Sequence, residues 1–303
     1  MTEPAAGRRF GFVAVLGATN VGKSTLVNRL VGAKVSIVSP KVQTTRSRVL
    51  GIAVRGQTQL VFVDTPGIFA PRRRLDRAMV KAAWRGAADS DLVLLLVDAS
   101  RRAIDPDTRA ILDGLRQARR RAVLALNKID LVRPERLLPL AAELAATGLF
   151  DATFMISAAT GDGVDDLLAH LAQALPPGPW HFPEDQLADM PQRLLAAELT
   201  REQLFLQLHR ELPYALTVET EGWEEFKDGS VKIDQVIFVR RDSQKAIVLG
   251  KSGARVKAVR QAAQAELAGM LGRPVHLFLY VKVRDNWPDD PERYRELGLE
   301  FDA

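Results

Sequence analysis

The chain has 303 residues, a formal net charge of +5, and 47% apolar against 26% charged residues. That length allows about two domains, and the composition excludes dominant disorder and a collagen-like or low-complexity chain. With no cysteine and four scattered histidines, a disulfide scaffold, a thiolate metal site and a cysteine nucleophile are excluded, and a histidine-built zinc site is not expected.

The first part of the chain alternates strand and helix signals. Phe10 to Leu16 reads as a buried strand, and Ser24 to Leu30 starts a helix. Arg48 to Val54 and Gln59 to Asp64 read as two strands at hairpin-like spacing around Gly56. Leu92 to Asp98 and Ala122 to Asn127 are apolar enough to be buried on both faces. Pro106 to Arg119 is amphipathic, with Ile111, Leu112 and Leu115 on one face. A helix over Leu137 to Ala146, a strand over Thr153 to Ile156 and a helix over Val164 to Leu175 follow. Short apolar strands interleaved with helices predict an α/β domain with a mostly parallel sheet covered on both faces.

Pro176, Pro177, Gly178 and Pro179 break this rhythm, and an acidic, proline-bearing stretch runs on to Pro191. The expected division is a first domain over 1–178, a linker over 179–191 and a second domain over 192–303 with an acidic C-terminal tail. The second part opens with a helix over Gln192 to Leu212. Strands over Leu216 to Phe226 and Val231 to Arg240 follow, then a short helix over Ser243 to Leu249, a helix over Gly253 to Leu271 and a strand over Pro274 to Val283. No internal repeat is visible.

Charge is uneven along the chain. Lys232 to Arg284 holds 11 basic and 3 acidic residues between acidic flanks, which points to a local polyanion site. The longest apolar run, Leu92 to Val97, is far below the roughly 18–20 residues of a membrane span. Met1 to Phe10 lacks the apolar core of a secretory signal. The cytoplasm is the expected address.

Gly17, Ala18, Thr19, Asn20, Val21, Gly22, Lys23 and Ser24, followed by Thr25, fit GxxxxGK[ST] between a strand and a helix. Polyphosphate needs converging backbone N–H groups, which a glycine-bearing loop and a helix N-terminus supply. Lys23 would reach the β- and γ-phosphates and Ser24 would bind Mg²⁺. Asp64, Thr65, Pro66 and Gly67 end a strand, where a carboxylate can hold the Mg²⁺ shell and the Gly67 N–H can sense a γ-phosphate. Asn127, Lys128 and Asp130 follow a buried strand. There a carboxylate accepts from guanine N1–H and the 2-amino group, and adenine would leave it unpaired. Lys128 would lie over the base and Asn127 would brace the loop. A backbone N–H of Ser157, Ala158 or Ala159 would reach the guanine carbonyl oxygen. Gln43, Thr44, Thr45 and Arg46 lie between the phosphate loop and the next strand, where a threonine can add a Mg²⁺ ligand.

In the second domain, Gly250, Lys251, Ser252 and Gly253 form a loop that can approach a sugar–phosphate backbone closely, with Arg255, Lys257 and Arg260 adding charge to the helix that follows. Ile233, Val236 and Ile237 are the expected apolar floor for splayed bases. Arg72 to Arg74 and Arg119 to Arg121 read as solvated surface.

The motifs GATNVGKS, QTTR, DTPG and NKID in this order resemble the translation-factor class of GTPases. The order helix, strand, strand, helix, helix, strand around Gly250 to Gly253 looks like a type II KH domain. Together they resemble the Era-like family of bacterial ribosome-assembly GTPases, from Phe10 to about Leu297. The resemblance implies a P-loop GTPase domain followed by an α+β KH domain, GTP hydrolysis with Mg²⁺, and nucleotide roles for Lys23, Ser24, Asp64, Asn127 and Asp130. It favours Thr45 over Thr44 for the Mg²⁺-sensing position, and gives Asn20 as the residue that holds a potassium ion. It implies the 3′ end of 16S rRNA and the immature 30S subunit as partners, and peripheral contact with the inner membrane. A monomer is expected.

The chain departs from the family pattern at Ala18 and Thr19, where Arg-Pro or Lys-Pro is more usual, and at Phe69, where histidine is common. Ile68 stands where many relatives of the wider class carry a water-orienting glutamine. Slow intrinsic hydrolysis is therefore expected; the Era-like family lacks that glutamine too, so loss of activity does not follow, and no catalytic base is legible. One rival reading, favoured by Ile68, is an RNA-binding protein with a merely structural nucleotide site. A tRNA-modification GTPase is disfavoured by the absence of cysteine and of a folate-type site, and a transporter GTPase by the absence of a spanning segment.

Overall fold

The computed structural model describes residues 7–41, 44–46, 48–71, 73–208, 212–285, 287 and 290–301. Gln43 and Arg72 therefore lie outside the described residues. Two compact units form. The first comprises 1–36, 45–189 and 295–303, and the second 37–44 and 190–294.

The first unit is built on a six-stranded sheet. In chain order the strands are β1 (Arg9–Leu16), β2 (Val49–Arg55), β3 (Thr58–Asp64), β4 (Leu92–Asp98), β5 (Ala122–Asn127) and β6 (Phe150–Met155), arranged β2-β3-β1-β4-β5-β6. Only the β2–β3 hairpin is antiparallel. Side chains alternate faces along a strand. Here both sets are apolar: Val13, Val15, Leu94 and Leu96 enter one core, and Ala14, Leu16, Leu95 and Val97 enter the other. Helices α1 (Lys23–Val31) and α5 (Val164–Ala174) close the first core. Helices α2 (Arg74–Asp89), α3 (Pro106–Gln117) and α4 (Leu137–Ala145) close the second. The strand ends carrying Leu16, Asp98 and Asn127 thus lie side by side at one edge, with the loops that follow them.

The second unit has α6 (Gln192–Gln207), β7 (Leu216–Glu225), β8 (Val231–Val239), α7 (Asp242–Leu249), α8 (Ala254–Leu271) and β9 (Val275–Val283), then a short helix α9 (Pro291–Glu296). The sheet order is β7-β8-β9, with β7–β8 antiparallel and β8–β9 parallel. Apolar residues of α6, α7 and α8 pack on one sheet face. No described helix is long and apolar enough to cross a membrane.

Several features differ from the sequence reading. The helix α2 was not anticipated. The first helix of the second unit stops at Gln207 rather than running to Leu212, which lies in a short 3₁₀ turn. The stretch expected as a linker over 179–191 is pinned to the first unit through Asp189. Gln59 accepts from the His181 and Phe182 N–H groups (both 3.1 Å) and donates to the Phe182 carbonyl (2.8 Å), while the Ile52 N–H donates to Leu187 O (2.8 Å). The C-terminal residues 295–301 belong to the first unit, where Glu300 pairs with Lys81 and Arg85 of α2.

The expected base-stacking floor is not open. Ile233 and Ile237 are fully buried in the core under the helices. Val236, on the other face of the same central strand, is covered by Trp287. Residues alternating along a central strand face two covers, and the sequence pattern does not say that both are present.

The segment Ile37–Thr44 is integral to the second unit. Ile37 sits in its core with Ala196, Leu199 and Val231. The Val38 N–H donates to Glu202 Oε1 (2.7 Å), and Arg201 donates to the Thr44 carbonyl. Arg201 is buried and paired with Glu198 on the same helix.

Candidate nucleotide and RNA sites

The loop from Gly17 to Gly22 is held through its carbonyls. Lys23 Nζ donates to Gly17 O (3.1 Å) and Ala18 O (2.9 Å). Arg101 Nη2 donates to Thr19 O (3.2 Å), Lys128 Nζ to Asn20 O (2.8 Å) and Asn127 Nδ2 to Val21 O (2.7 Å). The Ile68 N–H adds a bond to Gly17 O (3.2 Å). In a trans peptide the C=O and N–H point in opposite directions. With the Thr19, Asn20 and Val21 carbonyls held by Arg101, Lys128 and Asn127, the N–H groups of the same peptides turn to the opposite side, where polyphosphate binding requires them.

Asn127 also accepts from the Ala158 N–H at 2.9 Å, so it staples the phosphate loop to the loop carrying Ser157, Ala158 and Ala159. Arg29 of α1 donates to Ala158 O and Ala159 O and fixes that loop from the other side. Asp130 lies exposed in the turn Ile129–Leu131, with its carboxylate uncommitted to any described partner. Thr65 is fully buried and donates to Val15 O (2.8 Å), which locks the end of β3 to β1 and makes its role structural.

A cluster of hard oxygen donors lies beside Lys23. Ser24 Oγ is 2.8 Å from Asp64 Oδ2 and 2.9 Å from Thr45 Oγ1, and Ser36 Oγ donates to Asp64 Oδ2 at 2.6 Å. Thr44 points elsewhere, bonded to Ser39 and the Lys41 carbonyl. Ser36 escaped the sequence reading. It is placed by Asn28, whose Oδ1 accepts from the Val35 and Ser36 N–H groups (both 2.9 Å).

Asp64 Oδ1 is buried with no hydrogen-bond partner. Burial pushes the Asp64 carboxyl up, against the opposing pull of the Ser36 and Ser24 hydroxyls and the Lys23 ammonium. Burial likewise pushes Lys23 down to about 8. A cation beside Asp64 and an anion beside Lys23 would each restore the charged form. One carboxylate with hydroxyl oxygens is a donor set that Mg²⁺ completes with phosphate oxygens and water, so the residues present fit that ion.

Gly67 backs against the phosphate loop. A Cβ there would lie 2.7 Å from Thr19 Cγ2 and 3.1 Å from Thr19 Cα, so a larger residue pushes the two segments apart. The Ile68 side chain is buried in the core with Ala14 and Leu16. It cannot orient a water molecule. Asn20 is exposed and left-handed, with φ 62°.

In the second unit, Gly250, Lys251, Ser252 and Gly253 join α7 to α8, with Lys251 and Ser252 exposed. Gly250 has φ 71°, and a Cβ there would lie 2.7 Å from Arg255 Cβ. Arg255 donates to Ile247 O (2.7 Å) and Arg260 to Gln264 Oε1 (2.9 Å), while Lys257 is exposed. Ile247, 48% exposed next to this loop, offers the apolar surface that Ile233, Val236 and Ile237 do not.

The 50S ribosome-binding GTPase family model matches residues 12–128, and the KH domain model matches 211–288. The GTPase Era of Rhizobium meliloti (strain 1021) is 64% identical over 97% of this chain and 93% of its own length. The chain belongs to the Era family of GTPases. The GTPase Era of Brucella suis biovar 1 is 58% identical, over 99% of this chain and 98% of its own. Among solved structures, Era in complex with MgGDPNP and nucleotides 1506–1542 of 16S ribosomal RNA superposes with a TM-score of 0.91. It is 37% identical, over 96% of this chain and 99% of that one. A variant of Aquifex aeolicus Era bound to GDP·AlF4⁻ gives 0.90 at 36% identity, with the same coverage. This Era-family chain therefore carries a mixed α/β P-loop GTPase domain followed by a KH domain.

Proposed function

We propose that this protein binds GTP with Mg²⁺ at the phosphate loop, hydrolyses it to GDP and phosphate, and binds single-stranded RNA at the Gly250–Gly253 loop. The RNA is the 3′ end of 16S rRNA, and the setting is maturation of the small ribosomal subunit. The observation that carries the nucleotide reading is the unpartnered, buried Asp64 Oδ1 beside the Ser24 and Thr45 hydroxyls, next to a loop whose Thr19, Asn20 and Val21 carbonyls are held by side chains outside it. The RNA reading is supported by the KH match over 211–288 and by what the related Era structure was solved with.

Lys23 neutralises the β- and γ-phosphates, Asp130 selects guanine, and Asn127 with Lys128 shapes the base loop. Ser24, Thr45 and Asp64 hold the Mg²⁺, which neutralises charge developing on the phosphate oxygens. The Gly67 N–H meets the γ-phosphate. With Ile68 buried, catalysis rests on positioning and charge stabilisation.

The nucleotide state reaches the RNA-binding unit along the chain. Thr45 stands at the Mg²⁺ donors while its neighbour Thr44 is held by Arg201 of the second unit. Loss of the γ-phosphate frees Thr45 and with it the segment 37–44.

Turnover of GTP by the full chain and by Lys23→Ala tests the catalytic half. Turnover lost in the variant supports it. Equal turnover in both, or none in either, leaves the rival reading of a structural nucleotide site, which buried Ile68 favours. Fluorescence anisotropy with a 16S 3′-end oligonucleotide tests the other half, with Lys251→Asp expected to abolish binding.

A further inference from the structure

Each side chain that donates to a phosphate-loop carbonyl belongs to a motif already described, except one. Arg101 lies in the loop between β4 and α3 and matches no nucleotide motif. Its Nη2 donates to Thr19 O (3.2 Å), its Nη1 pairs with Asp105 Oδ2 (2.8 Å), and its Nε faces Asp98 Oδ2 at 3.7 Å. Asp98 is 6% exposed, and the same Oδ2 takes Lys128 Nζ at 2.7 Å. Ser100 fixes the other oxygen through its N–H (3.0 Å) and hydroxyl (2.6 Å). Asp105 in turn caps α3, accepting the Thr108 N–H at 3.0 Å. One buried carboxylate and one helix cap therefore aim a single guanidinium at one peptide of the phosphate loop.

That peptide is the strained part of the loop. Asn20 has φ 62°, a conformation that costs a non-glycine residue of order 1 kcal/mol and persists only where the surroundings over-determine it. Arg101 grips the carbonyl before Asn20, and Lys128 grips the carbonyl of Asn20 itself (2.8 Å). Between them they bracket the left-handed residue. Holding Thr19 O outward turns the N–H of the same peptide, that of Asn20, to the opposite side. With its guanidinium taken up by the Thr19 carbonyl, Asp105 and Asp98, Arg101 acts on the loop and not on the transferring phosphoryl group.

We propose that Arg101, aimed by Asp98 and Asp105, is a positioning residue of the nucleotide site: it locks the strained Thr19–Asn20 peptide in the form that receives the nucleotide phosphates. The proposal rests on the GTP-binding reading above. A positioning role of this kind alters how tightly nucleotide is held and leaves the chemical step of bound GTP intact.

The test uses the full chain and three proteins, wild type, Arg101→Ala and Arg101→Lys. GDP release is followed with a fluorescent GDP, and KM and kcat for GTP are measured separately. A charge-assisted hydrogen bond to a part-buried acceptor sets the scale. Arg101→Ala should release GDP about tenfold faster and raise KM by about the same factor, with kcat within about twofold of wild type. Arg101→Lys should fall between the two, because one ammonium cannot span the Thr19 carbonyl and both carboxylates. Should the alanine variant not fold, the lysine variant carries the test, with release still measurably faster than wild type. Release and KM equal to wild type in the folded variants overturn the proposal. So does a fall in kcat at unchanged KM, which would put Arg101 on the transition state. Wild type that shows no saturable GTP binding instead overturns the underlying nucleotide reading, so the two failures are distinguishable.

Discussion

Replacing Gly67 by alanine separates GTP binding from GDP binding. The added Cβ would lie 2.7 Å from Thr19 Cγ2, 3.1 Å from Thr19 Cα and 3.2 Å from Thr19 N. Two of those three atoms are backbone, in a loop whose carbonyls are already tied down, so neither can rotate away. Relief requires Gly67 to withdraw from the phosphate loop by several tenths of an ångström. Overpacking of this kind costs about 1–3 kcal/mol, a factor of about 5 to 150 in affinity for a state that needs the contact. A γ-phosphate sensed by the Gly67 N–H needs that contact, and GDP does not. Gly67→Ala should therefore weaken a non-hydrolysable GTP analogue by about that factor while changing GDP affinity by less than about threefold, and turnover should fall. Equilibrium titration with fluorescent GDP and analogue, alongside multiple-turnover hydrolysis, reads all three. Equal losses for both nucleotides, or no loss for either, would mean that the Gly67 contact does not distinguish GTP from GDP.

In the second unit, Arg201→Ala leaves buried Glu198 without its partner. Breaking a buried ion pair costs about 3–5 kcal/mol, so urea unfolding should show a loss on that scale, and a loss under about 1 kcal/mol would contradict the burial. Gly250→Ala meets Arg255 Cβ at 2.7 Å and sits at φ 71°, whereas Gly253→Ala meets open space at φ 77°. The first should abolish RNA binding by anisotropy and the second should cost only about 1 kcal/mol of stability; a reversed order would count against the loop geometry. For Asp98, burial alone would push the carboxyl up, but the Lys128 ammonium and the Ser100 hydroxyl outweigh it and hold the group below its ordinary 3.8. A depressed folded-state value stabilises the protein above 3.8 and loses that contribution as pH falls through the folded value. The stability difference between wild type and Asp98→Asn should thus stay constant down to about that pH and shrink below it, and a difference independent of pH would be inconsistent with the ion pair.

What the sequence made legible was local. The phosphate loop, Asp64 to Gly67 and Asn127 to Asp130 each place several functional groups within a few residues of a strand end, and the strands themselves were apolar on both faces. Helix α2 was missed because it follows an arginine run and buries mostly small residues, Ala78, Ala83 and Ala87, around Met79. The floor at Ile233, Val236 and Ile237 failed for a different reason: period-2 apolarity marks a buried strand and is silent on how many of its faces are covered. Ser36 and Arg101 carry no motif at all. Ser36 reaches Asp64 from 28 residues away and Arg101 reaches Thr19 from 82, and only the folded chain brings them together. The same holds for Ile37–Thr44, whose partners Arg201, Glu202 and Phe205 lie more than 150 residues on.

Nucleotide and RNA sites joined through one chain should respond to each other, which GTP turnover of the full protein in potassium buffer reads, with and without a short single-stranded RNA carrying the 16S 3′-end sequence. A measurable basal rate is expected, which this RNA raises and a scrambled RNA does not. A basal rate unchanged by the 16S sequence, at RNA concentrations shown by anisotropy to saturate the Gly250–Gly253 loop, would contradict the coupling of the two sites.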